Sequence, residues 1–219
     1  MLRVPGAEPV KTRLHASLGV GAATLLYRCF VLDTLEAAAG VPGLEVVAAY
    51  SPASAAREMA GLAPGVRAIP QRGDDLGARM ANLVTDLLGA GHAAALVTGS
   101  DLPTLPAARF AEAARALAGG GADVVLGPSE DGGYYVVGLT RPAPALFADV
   151  RWSAPDVFAV TCGRAQALGL RVHRLPPWYD VDTTTDLVRL RDDLATAAGA
   201  PAPGTAAWRT RRWLAAFLP

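Results

Sequence analysis

A surplus of positive charge is the first thing this chain lacks: 20 lysines and arginines face 20 aspartates and glutamates, for a formal net charge of zero. General nucleic-acid and membrane-surface binders need a basic excess, so neither class fits, and any bound anion must be held by a local cluster. Cysteine is scarce as well. Cys29 and Cys162 are too few for a disulfide scaffold, show no metal-ligand spacing, and read as small apolar residues in helix-like runs. His15, His92 and His173 are scattered without partner spacing, which argues against a histidine-based nucleophilic site. Apolar runs are short and interrupted, so no membrane span or signal peptide is visible and the cytoplasm is the expected location. There is no Walker loop, no Gly-x-Ser-x-Gly elbow and no Rossmann glycine fingerprint.

What is present is a chain of 219 residues, 52% hydrophobic and 18% charged, long enough to bury a sizeable core. Short β-branched runs alternate with longer Ala/Leu-rich ones. Strands are expected at Leu44–Tyr50, Val66–Ile69, Ala94–Thr98, Asp123–Leu126, Tyr134–Leu139 and Leu170–Leu175. Helices are expected at Gly21–Ala39, Pro52–Ala60, Leu76–Leu88, Pro106–Ala118, Pro155–Leu168 and Thr184–Ala197. This alternation predicts an α/β layered fold with a mainly parallel sheet. Such sheets bind ligands outside the carboxyl ends of their strands. One domain is expected over residues 1–198. Pro201–Gly204 reads as a linker to a last amphipathic helix, Thr205–Leu218, within residues 199–219. That helix docks on the domain or on a second copy, giving a homodimer; attachment to a membrane surface is the lesser reading.

The polar motifs fall largely at those strand ends. Tyr179–Leu187 puts Asp180 and Asp182 two residues apart between a strand-like and a helix-like run. Alternate residues of an extended segment face one way, so both acids can offer oxygens to a hard divalent cation, although an Asp before a helix is also an ordinary cap. Gly99-Ser100-Asp101-Leu-Pro103 ends a buried strand and presents Asp101, with the same capping alternative. Val4–Leu14 is a loop shaped by two prolines and Gly6, followed by Lys11, Thr12 and Arg13. Exposed amides with a point-charge Lys and a forked Arg suit a di- or triphosphate, while a solvated basic loop is the plainer reading. Gln71–Met80 reads either as a loop wrapping a nucleotide, with Gly73 and Gly77 admitting close backbone approach, or as a helix cap through Asp74 or Asp75. Asp131-Gly132-Gly133 before Tyr134 is a hairpin-type turn that could also face an acceptor, and Trp152-Ser153 is an acceptor-side lid or a helix cap.

Together these motifs resemble the bacterial DUF2064 family, also called radical-SAM/selenodomain-associated transferase 1, of the nucleotide-diphosphosugar transferase (glycosyltransferase A-type) superfamily. The chain is more distantly similar to the phospholactate guanylyltransferases. The likeness runs from Arg3 to Leu194 through Lys11–Leu14, Gly73–Met80, Gly99–Pro103, Gly127–Tyr135, Trp152-Ser153 and Asp180–Thr183. It implies a three-layer Rossmann-like fold and nucleotide binding in the N-terminal half. It also implies a divalent ion, magnesium or manganese, between Asp101 and Asp182, with Asp180 behind them. Family members carry an apolar first strand before the basic loop. Here Met1 lies almost inside that loop, so the first strand is expected to be missing or truncated.

The expected activity is nucleotidylyl transfer from a nucleoside triphosphate to a small phosphorylated or hydroxyl acceptor, with release of diphosphate. In-line positioning and charge neutralisation suffice for it, without a protein nucleophile. Lys11, Arg13, Asp101 and Asp182 are the expected catalytic set. Gly6, Thr12, Gln71, Gly73, Gly77 and Ser100 join Lys11 and Arg13 around the nucleotide, and Asp131, Gly132, Gly133, Tyr134, Trp152 and Ser153 face the acceptor. Glycosyl transfer from a nucleotide sugar is the alternative. A single acid at Gly99-Ser100-Asp101, where such enzymes carry Asp-x-Asp, leans away from it. A non-catalytic nucleotide-binding protein is the third reading.

Overall fold

The computed structural model of the protein describes residues 1–196 and 204–217. In chain order the main elements are β1 (Leu2–Arg3), α1 (His15–Leu18), α2 (Val20–Ala39), β2 (Val47–Ser51), α3 (Ala56–Leu62), β3 (Arg67–Pro70) and α4 (Leu76–Gly89). They continue through β4 (Ala95–Thr98), α5 (Ala107–Ala118), β5 (Val124–Pro128), β6 (Tyr134–Leu139), α6 (Val157–Ala167), β7 (Val172–Arg174), α7 (Thr184–Ala195) and α8 (Trp208–Phe217). The strand and helix alternation read from the sequence is present, and the α/β Rossmann-like class holds.

The chain divides into two compact units. The first comprises Met1–Pro70, Ser100–Ala107 and Asp180–Pro219; the second comprises Gln71–Gly99 and Ala108–Tyr179. In the first, β1, β2 and β3 form a parallel sheet in that order. The first strand is present and short: Leu2 and Arg3 pair with Tyr50 and Ser51, and the amide of Val4 extends the contact by donating to the Ser51 carbonyl at 2.7 Å. Phe30, Leu26, Leu14, Met59 and Leu190 are fully buried in this unit. Burying side chains of that size contributes about 1.5–3 kcal/mol each.

In the second unit the strand order is β4-β6-β5-β7. Strand β6 runs antiparallel to both neighbours, while β5 and β7 are parallel. The sheet is mainly but not wholly parallel, and the hairpin-type turn read at Asp131–Gly133 is where it reverses: so short a link from β5 to β6 can only turn the chain back. In that turn Asp131 Oδ1 accepts from the Gly133 amide at 3.0 Å, and Gly132 sits at φ +93°. Val124, Leu126, Val137 and Leu139 fill the core of the sheet.

Several boundaries move by one to four residues. The helix expected from Pro52 begins at Ala56, because a 3-10 turn at Ala53–Ala55 comes first. The helix expected from Pro155 begins at Val157, with Asp156 rather than Ser153 at its N-cap position. The Pro201–Gly204 linker, apart from Gly204, lies outside the described residues. Among the described residues no helix is long and apolar enough to cross a membrane.

Gly77 illustrates how tightly the second unit is packed. A Cβ there would stand 2.3 Å from the Phe147 carbonyl oxygen and 3.1 Å from Trp152 Cζ2. Backbone cannot yield as a side-chain tip can. Gly77→Ala is therefore expected to cost about 1–3 kcal/mol, the usual range for overpacking, read as a lower urea midpoint with unchanged m-value.

Candidate active site

Lys11 lies at the centre of the polar cluster in the first unit. After β1 the chain turns: the Ala7 amide donates to the Val4 carbonyl at 3.1 Å, and Gly6 takes φ +91°. Lys11 then adopts a left-handed backbone, φ 49° and ψ 43°, at the head of a 3-10 turn, Thr12–Leu14. That region disfavours residues with a Cβ by about 1–2 kcal/mol, so the surroundings must hold it. Leu14, wholly buried, anchors the turn, and its amide donates to the Lys11 carbonyl at 2.9 Å.

The Lys11 side chain is only 4% exposed, and its Nζ meets Asp101 Oδ1 at 2.5 Å and Asp182 Oδ1 at 2.7 Å. It also lies 5.8 Å from the ring centres of Tyr27 and Phe30. Burial by itself would lower the lysine pKa. The carboxylates of Asp101 and Asp182 outweigh it, and the net value lies above that of an ordinary lysine. The ammonium is thus held charged. Both carboxylates remain partly open, with side-chain exposures of 39% for Asp101 and 47% for Asp182.

Two devices hold the acids in place. The Val181 amide donates to the Asp101 carbonyl at 3.0 Å, joining the two acidic segments through backbone, and Val181 itself is fully buried between Asp180 and Asp182. Next to Asp101, buried Ser100 shares a 2.7 Å hydrogen bond with the Tyr27 hydroxyl, which also accepts from the Arg3 amide at 3.2 Å. Burial first, then the Asp101 charge, pushes the Tyr27 phenol up to about 12, so it stays protonated and able to donate.

Asp182 immediately precedes helix α7, whose N-cap is Thr183. Thr183 and Asp186 form a reciprocal capping box. Asp186 Oδ2 accepts from the Asp182 amide at 3.1 Å, the Thr183 amide at 2.7 Å and the Thr183 hydroxyl at 2.8 Å. Burial alone would raise its pKa, but the Thr183 hydroxyl and amide and the Asp182 amide prevail and hold it below the ordinary carboxylate value. The linkage follows from that direction. The native state prefers the ionised form, so the stabilisation is present above the unfolded pKa, about 4, and is lost as pH falls through the lower native value. Asp186→Ala is expected to cost about 1 kcal/mol at pH 7, as caps do, with the difference from wild type shrinking below about pH 4 in pH-resolved urea melts.

Of the residues expected at the site, Lys11, Asp101 and Asp182 come together directly, and Ser100 stands beside them through Tyr27. Thr12 and Arg13 are exposed on the following turn. Gly6 lies in the turn after β1 in the same unit; the remaining residues belong to the second unit, where most have a local role. Asp75, not Asp74, caps α4 by accepting from the Ala78 amide at 2.7 Å. A Cβ on Gly73 would lie 2.8 Å from Ala78 backbone, and the Gly73 carbonyl accepts from Arg79 Nε at 3.0 Å. The close approaches at Gly73 and Gly77 are thus to protein. Gly132 backs onto Pro155, whose carbonyl oxygen a Cβ would meet at 2.0 Å. Tyr134 packs edge-on against Trp152, with ring centres 6.1 Å apart. Gln71 is half-buried and Ser153 exposed.

Tyr27 and Asp186 did not stand out in the sequence. Asp186 has a readable signal, the Thr-x-x-Asp spacing of a capping box ahead of an apolar run. Tyr27 lies on the buried stripe of α2 with Ala23, Phe30, Val31 and Thr34, and nothing in that stripe indicates where a hydroxyl points.

Lys11 also supplies a test of whether a divalent cation suits this site. One cation already bridges an oxygen of each acid, which is what a metal held by two carboxylates requires. Among the described residues no third His, Cys, Asp or Glu completes a metal cluster. Magnesium is commonly held by one or two carboxylates, with the remaining positions filled by water and substrate phosphate, so the donor set fits a metal that arrives with a nucleotide.

Residues 34–154 match DUF2064, a family described as uncharacterized proteins conserved in bacteria. A crystal structure from Desulfovibrio desulfuricans G20, described as a candidate nucleotide-diphospho-sugar transferase, is similar at 30% identity and TM-score 0.86, over 99% of this chain and 94% of that one. Fold alone is shared with a CMP:2-keto-3-deoxy-manno-octonic acid synthetase complexed with CTP, at 14% identity and TM-score 0.55 over 76% of this chain and 87% of that one. The same holds for a cytidylyltransferase from Leptospira borgpetersenii serovar Hardjo-bovis strain JB197, at 13% identity and TM-score 0.59 over 98% and 91%. No curated protein matches the chain.

Proposed function

The chain belongs to the bacterial DUF2064 family, and from that premise we propose that it transfers a nucleotidyl group from a nucleoside triphosphate to a small phosphorylated or hydroxyl acceptor. The coarser activity is that of a nucleotide-using transferase. The single observation that carries the finer reading is the convergence of Lys11, Asp101 and Asp182 on one point of concentrated charge.

In this reading an acceptor oxygen bonds to the α-phosphorus as the bond from that phosphorus to the bridging oxygen breaks. Diphosphate leaves with the bond electrons, and a hydroxyl acceptor gives up its proton to solvent water. Asp101 and Asp182 would hold magnesium or manganese, which would supply Lewis-acid stabilisation of charge on phosphate oxygens. Lys11 sets a full positive charge against the polyphosphate, and Arg13 adds an exposed guanidinium fork. Gly6, Thr12 and Ser100 are assigned to the nucleotide on the sequence resemblance. Tyr27 and the Arg3 amide steady the Asp101 segment, while Asp186 fixes the backbone at Asp182. No side-chain nucleophile is required.

Gln71, Gly73 and Gly77 for the nucleotide, and Asp131, Gly132, Gly133, Tyr134, Trp152 and Ser153 for the acceptor, are assigned on the sequence resemblance. Residues 1–198 form the catalytic domain in this proposal, and residues 199–219 a linker and helix. Cytoplasmic residence and a homodimer through that helix belong to the same proposal.

Glycosyl transfer from a nucleotide sugar is the second reading, favoured by the description of the Desulfovibrio relative. The two separate by product. Diphosphate release from a triphosphate with a phospho-acid acceptor supports the first; turnover of a nucleotide sugar with none of the triphosphates supports the second.

A further inference from the structure

We infer that Lys11 is a tethered competitor of the metal: its ammonium and a divalent cation contend for the same two carboxylate oxygens, so metal binding is coupled to the arrival of a polyphosphate. This rests on the reading of Asp101 and Asp182 as the metal pair. It goes beyond that reading by assigning an order to the site and a second role to Lys11.

Three observations carry it. Nζ touches the Oδ1 atom of each acid, at 2.5 Å and 2.7 Å, and so occupies the position between them. Two carboxylates brought this close repel unless a cation lies between them, and the chain supplies one of its own. The Lys11 side chain is 4% exposed whereas those of Asp101 and Asp182 are 39% and 47% exposed. Solvent therefore reaches the acids chiefly on the sides that Lys11 does not cover.

Lys11 takes a left-handed backbone at the head of its 3-10 turn and its side chain is buried, so the contact is not that of a free surface lysine. A polyphosphate offers the ammonium an alternative set of anionic oxygens, and the carboxylates pass to the metal as the ammonium passes to phosphate. Charge stays balanced at each stage. By linkage, the factor by which a polyphosphate tightens metal binding equals the factor by which metal tightens the polyphosphate.

The test reads Mn2+ binding to the full chain by electron paramagnetic resonance, with no nucleotide and no turnover. Wild type is expected to bind Mn2+ weakly. Lys11→Met keeps the length of the apolar stem and removes the charge, and is expected to tighten Mn2+ about tenfold, since the ion pairs it releases involve partly exposed acids and are individually modest. Lys11→Arg retains a cation and should bind as wild type does. Adding Asp182→Asn to Lys11→Met should abolish the gain. A folded Lys11→Met protein that binds Mn2+ no better than wild type overturns the inference.

Should Lys11→Met not fold, the wild type still decides the matter through the 15N signal of the Lys11 ammonium under Mg2+ titration. A shift that saturates with the metal is expected, and an unchanged signal at saturating metal overturns the inference. The nucleotidyl reading fails separately: absence of diphosphate release with an intact Lys11→Met gain leaves the competition standing, and the reverse outcome leaves the reaction standing.

Discussion

Asp182→Ala is expected to lower kcat/KM by about 10²–10³-fold, a loss of about 3–4 kcal/mol in transition-state stabilisation, comparable with deletion of one preorganised electrostatic donor. The chain should stay folded. Asp182 is nearly half exposed, and Lys11 retains Asp101 as a partner at 2.5 Å. Asp186 and Thr183 keep the start of α7. Asp101→Ala should cost a similar amount, and the double variant should be little worse than either single one, because groups that act as a unit fail as a unit. Steady-state kinetics with thermal melts as the folding control measure this. Two fully additive losses would indicate that the acids act independently.

Asp33→Ala is expected to produce the largest loss of stability, about 3–5 kcal/mol, by leaving buried donors without their acceptor. The Asp33 side chain is 1% exposed. Its Oδ2 accepts from the Thr210 amide at 2.9 Å and the Thr210 hydroxyl at 2.7 Å, and its Oδ1 from the Arg209 amide at 3.3 Å and Arg209 Nη1 at 3.2 Å. Thr210 is fully buried. One carboxylate on α2 thereby satisfies the first turn of α8, where helix amides have no internal partner. Nearby, Trp208 Nε1 donates to Glu36 Oε2 at 2.9 Å, and Arg209 pairs with Glu36 as well. The expected signature is a lower urea midpoint together with red-shifted tryptophan emission as Trp208 and Trp213 lose their seat. A midpoint within 1 kcal/mol of wild type would mean that the apolar face of α8, Trp213 and Leu214, holds the helix by itself.

Much of this is legible in the amino-acid sequence. Periodicity located the strands and helices because a half-buried face imposes its spacing on the sequence. Tyr134–Leu139 was read with both ends where β6 has them. Taken singly, Asp101 and Asp182 read equally well as helix caps and Lys11 as part of a solvated loop; the resemblance carried by all the motifs together is what singled them out. What periodicity alone could not carry was direction and pairing. Strand β6 reads like its neighbours, and only the hairpin-type turn at Asp131–Gly133 signals that it runs the other way. The 3-10 turn and left-handed backbone at Lys11 leave no periodic trace.

The contact of Lys11 with the two acids was not legible: a buried ammonium takes the counter-charge that the fold brings to it, and these partners lie far away in the chain, Asp182 by 171 residues. The partnership of Asp33 with Thr210 spans 177 residues, and no local rule reaches that far.

Equilibrium binding of nucleoside triphosphates, with and without magnesium, to wild type and to the Asp101→Asn and Asp182→Asn variants tests the central claim most directly. The account predicts that at least one triphosphate binds wild type more tightly when magnesium is present, and that either substitution removes the magnesium-dependent part. Triphosphate binding that is indifferent to magnesium and unchanged in both variants would contradict it.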